Sequence, residues 1–176
     1  MFRTLKKRIA LVSTTAIVLA SGVGLTVGSS TAFAASGSQY CTTTPYVACL
    51  NAWNGGPFVN VYTARGTTNN DFTVFQVNGI WAIKYTGDNG AVGRCVGDAN
   101  NDPNLAYTSL DVCPTPGDSG GWGTNFDVDP GCGTGKVAFK NRHWPNGWLK
   151  PNANQNGAKF YLNGPTRVCY TIYPAA

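Results

Sequence analysis

Residues 94–98 read "RCVGD", residues 110–113 "LDVC" and residues 125–128 "NFDV". The order is a small polar-flanked strand, a second strand ending on cysteine, and a third opening on an aromatic. The same order occurs upstream as "ACLNAW" at 48–53 and "NNDFTV" at 69–74, and in worn form downstream as "GWLKP" at 147–151 and "FYL" at 160–162. Spacing tests whether these are copies of one unit. Leu50, Val61 and Phe72 are separated by 11 and 11 residues, Val96, Leu110 and Phe126 by 14 and 16, and Leu149, Phe160 and Tyr170 by 11 and 10. Each copy closes on aromatic-x-aliphatic: Phe72-Thr73-Val74, Phe126-Asp127-Val128 and Tyr170-Thr171-Ile172. Side chains alternate between the faces of a strand, so both ends of each triplet point the same way, inward. Three units of four strands thus supply an aromatic layer to one closed core.

Outside these anchors, runs rich in Val, Ile, Tyr, Phe and Trp alternate with Gly, Asn, Asp, Pro and Thr clusters. No stretch after residue 36 sustains a helical period beyond two turns. The pattern predicts an all-β chain of about twelve strands: 39–41, 48–51, 58–62, 72–77, 80–85, 94–96, 109–113, 126–128, 136–140, 147–149, 159–162 and 168–172. These fall into units at approximately 38–78, 79–130 and 131–176.

The N-terminus carries Arg3, Lys6, Lys7 and Arg8, an apolar run from Ile9 to Val27, and small residues near Ala32, Phe33 and Ala34. This has the form of a secretory signal peptide over 1–34, leaving a single domain at 35–176 with no membrane span in the mature form and an extracellular destination. Four of the thirteen Lys and Arg lie in that leader. The remainder sets nine cations against eight Asp, a net of +1, which removes the electrostatic case for nucleic acid. All six cysteines, at 41, 49, 95, 113, 132 and 169, follow the leader, and an exported chain with an even count pairs them. No tight Cys or His spacing of the zinc-binding kind occurs, and no metal or cofactor is expected.

The threefold order, with its Cys-Leu-like pair, its Leu-x-x-Cys-like pair and its closing aromatic, resembles the ricin-type β-trefoil of the ricin B-like lectins. The resemblance covers nearly all of the chain after the leader, and it implies a disulfide between Cys95 and Cys113, worth about 3 kcal/mol by the chain-entropy estimate. The other four cysteines allow three connectivities. Cys41 with Cys49 and Cys132 with Cys169 each join neighbouring strands of one unit, while Cys41 with Cys169 remains open.

Modules of that family carry one shallow sugar pocket per unit: an Asp after the Cys-Leu-like pair, an aromatic after the mid-repeat Leu, and Asn or Gln before the closing aromatic. Matched residue by residue, the first unit offers Asn51, Tyr62, Asn69 and Asn70, with Trp53 beside them. The second has Gly97 at the Asp position and Asp111 at the ring position. The third keeps Tyr161 but has Lys150 and Arg167 at polar positions. The Gln-x-Trp motif of the family is absent from all three units, and Asn51 in place of Asp lacks a charged acceptor. A surplus of aromatics over what a closed core needs, 19 within residues 35–176, set among Asn-rich loops, suits the apolar face and the hydroxyls of a pyranose.

Three other patterns compete for chemistry. "GDSGG" at 117–121 satisfies the nucleophile strings of two serine hydrolase classes, but His143, the only histidine, lies downstream and no helix follows Ser119. The string falls in residues that the second unit has in excess of the first, which reads as a loop. Asp127 and Asp129, about 7 Å apart at i and i+2, mimic a glycosidase pair, yet with Val128 inward both face water, where nothing raises a pKa. "DANND" at 98–102 lacks the Gly and Glu of a calcium loop and reads as an Asx-rich turn. The expectation is therefore a secreted, non-catalytic, lectin-like trefoil whose partner is an extracellular glycan. A protein-binding trefoil, such as a protease inhibitor or adaptor, is the alternative, and a small serine hydrolase a distant third.

Overall fold

The computed structural model describes residues 37–43, 46–52, 59–88, 92–98, 107–115, 123–144 and 146–176. Residues 1–34, read above as a signal peptide, Trp53, residues 99–102 of the DANND stretch and the GDSGG string lie outside the described residues. Within them are twelve strands: β1 Ser38–Thr42, β2 Ala48–Ala52, β3 Val59–Tyr62, β4 Asp71–Val77, β5 Ile80–Tyr85, β6 Cys95–Asp98, β7 Thr108–Asp111, β8 Phe126–Asp129, β9 Lys136–Asn141, β10 Trp148–Pro151, β11 Phe160–Gly164 and β12 Tyr170–Pro174. A 3-10 turn, Thr68–Asn70, leads into β4. Twelve strands were expected, and each described strand overlaps its expected segment. β7 stops at Asp111, leaving Cys113 outside the ladder, and β12 starts at Tyr170 rather than Val168.

Six strands close on themselves. β1 pairs β4, β4 pairs β5, β5 pairs β8, β8 pairs β9, β9 pairs β12 and β12 pairs β1, all antiparallel. The other six form hairpins, β2–β3, β6–β7 and β10–β11, each joined to the barrel through the strand before it. A six-stranded barrel with three hairpins, repeated every four strands, is a β-trefoil. Its register obeys the threefold relation. The closing aromatics Phe72, Phe126 and Tyr170 lie opposite Tyr85, Asn141 and Thr42, the last strand position in each case. On their other side they lie opposite Ser38, Trp81 and Val137.

Burial follows from that register. Phe72, Phe126 and Tyr170 are fully buried, Val74 nearly so, while Val128 and Ile172 are half-buried against the core. The equivalent inward positions of the opening strands hold Tyr40, Ile83 and Phe139, also fully buried. Phe139 sits among Tyr40, Phe126 and Tyr170 at ring-centroid distances of 5.4, 6.4 and 5.6 Å, edge-on to the first two and tilted against Tyr170. Tyr170 donates from Oη to the Leu149 carbonyl at 2.8 Å, and burial pushes its phenol well above the usual range. Leu50, Val96 and Leu149 carry the same core into the three hairpins. A two-residue Asn78-Gly79 turn with positive φ at both positions, 50° and 77°, joins β4 to β5.

The three hairpins meet at one buried hydroxyl. Thr108, fully buried in β7, lies 3.0 Å from the Val59 carbonyl of β3 and 3.2 Å from the Phe160 carbonyl of β11, so one proton serves backbone acceptors from both other units. Three disulfides add covalent links: Cys41–Cys49, Cys95–Cys113 and Cys132–Cys169. The open alternative of Cys41 with Cys169 is thereby excluded.

The third hairpin departs from the sequence alignment of the units. Trp148 lies opposite Gly164 but Lys150 opposite Tyr161, with a bulge between them. The first two hairpins set Asn51 opposite Asn60 and Gly97 opposite Ser109. Tyr161 is therefore the counterpart of Asn60 and Ser109, not of Tyr62, because eight residues connect Pro151 to Phe160 where six connect Ala52 to Val59.

Replacing Thr108 with Val keeps the shape but removes the hydroxyl donor that two backbone carbonyls share. Thr108→Val is expected to destabilise by about 1–3 kcal/mol in denaturant titration, and Thr108→Ser by clearly less.

Candidate functional site

In the first hairpin, alternation puts Leu50, Ala52 and Val59 on the core face and Asn51, Asn60 and Tyr62 on the other. Tyr62 lies opposite Cys49, so it is the diagonal neighbour of Asn51, at a spacing of about 7–8 Å that an aromatic side chain spans. The 3-10 turn Thr68–Asn70 covers this face. Asn51 donates from Nδ2 to Asn70 Oδ1 at 3.1 Å, Asn70 donates from Nδ2 to the Leu50 carbonyl at 3.0 Å, and the Thr67 hydroxyl donates to Asn70 Oδ1. Asn51 and Asn70 are buried, so they form the floor of the site rather than its rim. Asn51 Oδ1 is left buried without a partner among the described residues. Tyr62 and Asn69 are half-buried. Asn69 Oδ1 lies 3.4 Å from the Tyr85 hydroxyl, which belongs to the next unit. Behind the turn Gly87 has no room for a side chain, since a Cβ there would come within 2.0 Å of the Thr68 carbonyl.

The other two units lack this arrangement. The second unit has Gly97 at the position of Asn51 and Thr124 at that of Asn70, and a Cβ on Gly97 would lie 2.7 Å from Thr124 Cγ2. The threonine methyl occupies the volume that a polar side chain fills in the first unit. Gly123, at φ 78°, packs directly on Asp98, and its carbonyl accepts from Asn141 Nδ2. Asp111, at the ring position, is exposed. The third unit has Lys150 and Val168 at the same two positions. Tyr161 leans instead on Tyr107 of the second unit, with ring centroids 4.8 Å apart and Lys159 Nζ 4.2 Å over the Tyr107 ring. The structure thus joins Asn51 to Asn70, sets Tyr62 on the same face diagonal to Asn51, turns Asn69 to Tyr85, and places Tyr161 apart from them.

The carboxylate pair proposed as a catalytic mimic is engaged elsewhere. Asp127 accepts from Arg142 at 2.6 Å, and Asp129 accepts from Arg167 at 2.8 Å and from the Gly131 amide at 2.7 Å. The Arg167 guanidinium, then the amide, hold Asp129 below its usual range, opposite to what an acid catalyst needs. His143 is exposed and touches Trp144 edge-on at 5.2 Å. Among the described residues no three of His, Cys, Asp and Glu gather as a metal site would require. No described helix is long and apolar enough to cross a membrane.

A feature the sequence reading missed lies on the other side of β1. A cavity of about 330 Å³ is lined by Gln39, Arg65, Gly66, Tyr173 and the segment Pro174 to Ala176. The signal for it was present: Gln39 occupies a strand position whose threefold equivalents are Ala82 and Ala138, as the pairings of Tyr173, Phe75 and Asp129 show.

No family model matches this sequence, and no curated protein matches it in sequence. Solved structures do match in shape. A designed threefold-symmetric protein, ThreeFoil, aligns with a TM-score of 0.58 at 13% identity over 78% of this chain and 98% of its own. A GlcNAcα1-4Gal-releasing endo-β-galactosidase from Clostridium perfringens aligns with a TM-score of 0.58 at 15% identity, over 80% of this chain and 33% of that one. This chain therefore spans about a third of that enzyme's length. A Caenorhabditis elegans protein of unknown function aligns with a TM-score of 0.56 at 10% identity, over 85% of this chain and 100% of its own.

Two outcomes follow from the contacts. Asn70→Ala removes three hydrogen bonds and strands the Leu50 carbonyl and the Asn51 amide, so a loss of about 2–4 kcal/mol is expected in thermal or chemical unfolding. For Asp129 the folded pKa is depressed, so its contribution to stability is present above the unfolded pKa of about 4 and is lost as pH falls through the folded value. Arg167→Gln should return the Asp129 pKa towards that ordinary value in an NMR titration and flatten the acid limb of stability.

Proposed function

We propose that the protein is a secreted, non-catalytic carbohydrate-binding β-trefoil, similar in kind to the ricin B-like lectins, with its binding site in the first unit. The observation that carries this reading is the contrast between units. Where the second is filled by Thr124 Cγ2 and the third has a lysine and a valine, the first keeps an amide pair with an unpartnered acceptor, Asn51 Oδ1, beneath a half-exposed ring. A buried acceptor without a donor is an unusual feature in a folded protein and fits a site completed by a hydroxyl from outside. Tyr62 offers the apolar face that a pyranose stacks on, and Asn69 the polar edge.

The fold supports this reading through the neighbour that releases GlcNAcα1-4Gal, in which a region of this shape forms part of a glycan-cleaving enzyme. Three disulfides support an oxidising, extracellular setting. Absence of catalysis is supported by Asp127 and Asp129 being tied to arginines.

The test is retention on immobilised neutral glycans and insoluble polysaccharides. Wild-type protein should be retained, and Tyr62→Ala should weaken retention about tenfold or more, equivalent to at least about 1.4 kcal/mol, without a change in unfolding midpoint. Absence of retention on every glycan, with Tyr62→Ala indistinguishable from wild type, would retire the lectin reading.

A further inference from the structure

The cavity beside β1 is built by breaking the threefold symmetry of the barrel. Gln39 is 1% exposed at a position where the other units have alanine. A buried amide is unfavourable unless its hydrogen bonds are made, and those of Gln39 are. Its Oε1 accepts from the Gly66 amide at 3.0 Å, and its Nε2 donates to Asp71 Oδ1 at 3.1 Å and to the Thr67 carbonyl at 3.3 Å. The bonds to Gly66 and Thr67 fix the segment that follows Arg65. Asp71 in turn accepts from the Ala176 amide at 3.1 and 3.3 Å, which pins the opposite wall. Gln39 and Asp71 thereby hold both sides of one cleft.

Arg65 is what this scaffold presents. Its guanidinium carbon lies 3.9 Å from the centroid of the Tyr173 ring, which holds the planar group by cation–π contact and leaves its N–H edges without a hydrogen-bond partner among the described residues. The other described arginines are engaged differently. Arg142 and Arg167 pair with Asp127 and Asp129, and Arg94 points to the Leu110 carbonyl at 3.5 Å. No carboxylate lies within ion-pair distance of Arg65 among the described residues. A ring-backed guanidinium with open edges, in a cleft of a size that admits a small molecule, is preorganised for a planar carboxylate received in bidentate fashion.

We propose that the cleft between Arg65 and Tyr173 is a second ligand site that takes the carboxylate of an acidic sugar residue, a uronate, with Arg65 gripping the carboxylate. That the carboxylate is carried by a sugar rests on the carbohydrate reading above; that the cleft takes an oxyanion rests on Arg65, Tyr173 and the Gln39 network alone. The walls contributed by Pro174 and Ala175 are apolar and suit the C–H face of a pyranose.

The test is an NMR titration of the isotope-labelled protein with methyl β-D-glucuronide, run beside methyl β-D-glucoside and glucose 6-phosphate. Saturable shifts at Arg65, Gly66 and Tyr173 are expected with the glucuronide, and at least tenfold weaker binding with the neutral glucoside. Arg65 is exposed, so Arg65→Gln should fold normally and reduce glucuronide affinity at least tenfold. Arg65→Lys, which keeps the charge and loses the fork, should also weaken it. Tyr62→Ala should leave glucuronide binding at Arg65 unchanged, so failure of the first-unit site and failure of this one are told apart. Absence of shifts at the cleft, or undiminished affinity in Arg65→Gln, overturns the site. Equal binding of the glucoside, equal binding of the phosphate, or full affinity in Arg65→Lys overturns the assignment to a carboxylate.

Discussion

The barrel register governs everything outside it. Six antiparallel strands close without a free edge only when each pair meets in a register that also satisfies the next, because a slip of one residue would turn every inward side chain to the opposite face. Here the constraint is met three times over by one relation, the closing aromatic of each unit opposite the last position of the following barrel strand. The relation puts Phe72, Phe126 and Tyr170 in the interior with Tyr40, Ile83 and Phe139. It also leaves none of the six barrel strands with an unpaired edge. The hairpins are then fixed to the barrel at one end and to each other through Thr108, so their outer faces and connecting turns can change without affecting closure.

That freedom is visible as differences between units at equivalent positions. Asn51 with Asn70, Gly97 with Thr124, and Lys150 with Val168 occupy one place in the repeat, yet only the first pair makes a hydrogen-bonded polar floor. Gln39, Ala82 and Ala138 occupy another, and again only the first unit is polar. Both departures from symmetry fall in the first unit, on either side of the Thr67 to Asp71 segment, whose residues are bonded to Asn51 on one side and Gln39 on the other. A single short segment therefore borders both candidate sites. Alanine at positions 82 and 138 is sufficient for closure in the other two units, so the barrel alone does not require the buried amide of Gln39.

The features legible in the sequence were those set by period and spacing. Strand count follows from alternation and turn residues, and the units from the intervals between Leu50, Val61 and Phe72 and their copies. The Cys95–Cys113 pairing came with the family resemblance, whereas Cys41–Cys49 and Cys132–Cys169 had to be chosen among alternatives. Features that depend on lateral contact were not legible. The connection of the third hairpin is two residues longer than that of the first, which moves Tyr161 out of line with Tyr62 although each stands twelve residues after its hairpin's leucine. The family resemblance puts Asn51 and Asn70 in one pocket, but nothing in the linear order shows that both are buried or that the amide of one donates to the other. Gln39 looked like an ordinary strand residue until its counterparts were known to be alanines, which requires the cross-strand register and not the linear order.

Electrostatics decide what kind of ligand such sites can capture. Residues 35–176 carry nine Lys and Arg against eight Asp, so no strong net field draws an anion in from a distance. The described acidic groups Asp127 and Asp129 are already matched with arginines. Recognition of a carboxylate would then depend on contact geometry at Arg65, where a guanidinium held over Tyr173 needs little further ordering before its edge can bind. Long-range attraction is screened by salt over about 8 Å at physiological ionic strength, whereas a bidentate contact inside a cleft is screened much less. Affinity for a uronate should therefore fall only modestly between low and physiological salt, in contrast to a site that relied on a basic surface. The neutral site beneath Tyr62, which has stacking and amide groups and no charge, should not respond to salt at all.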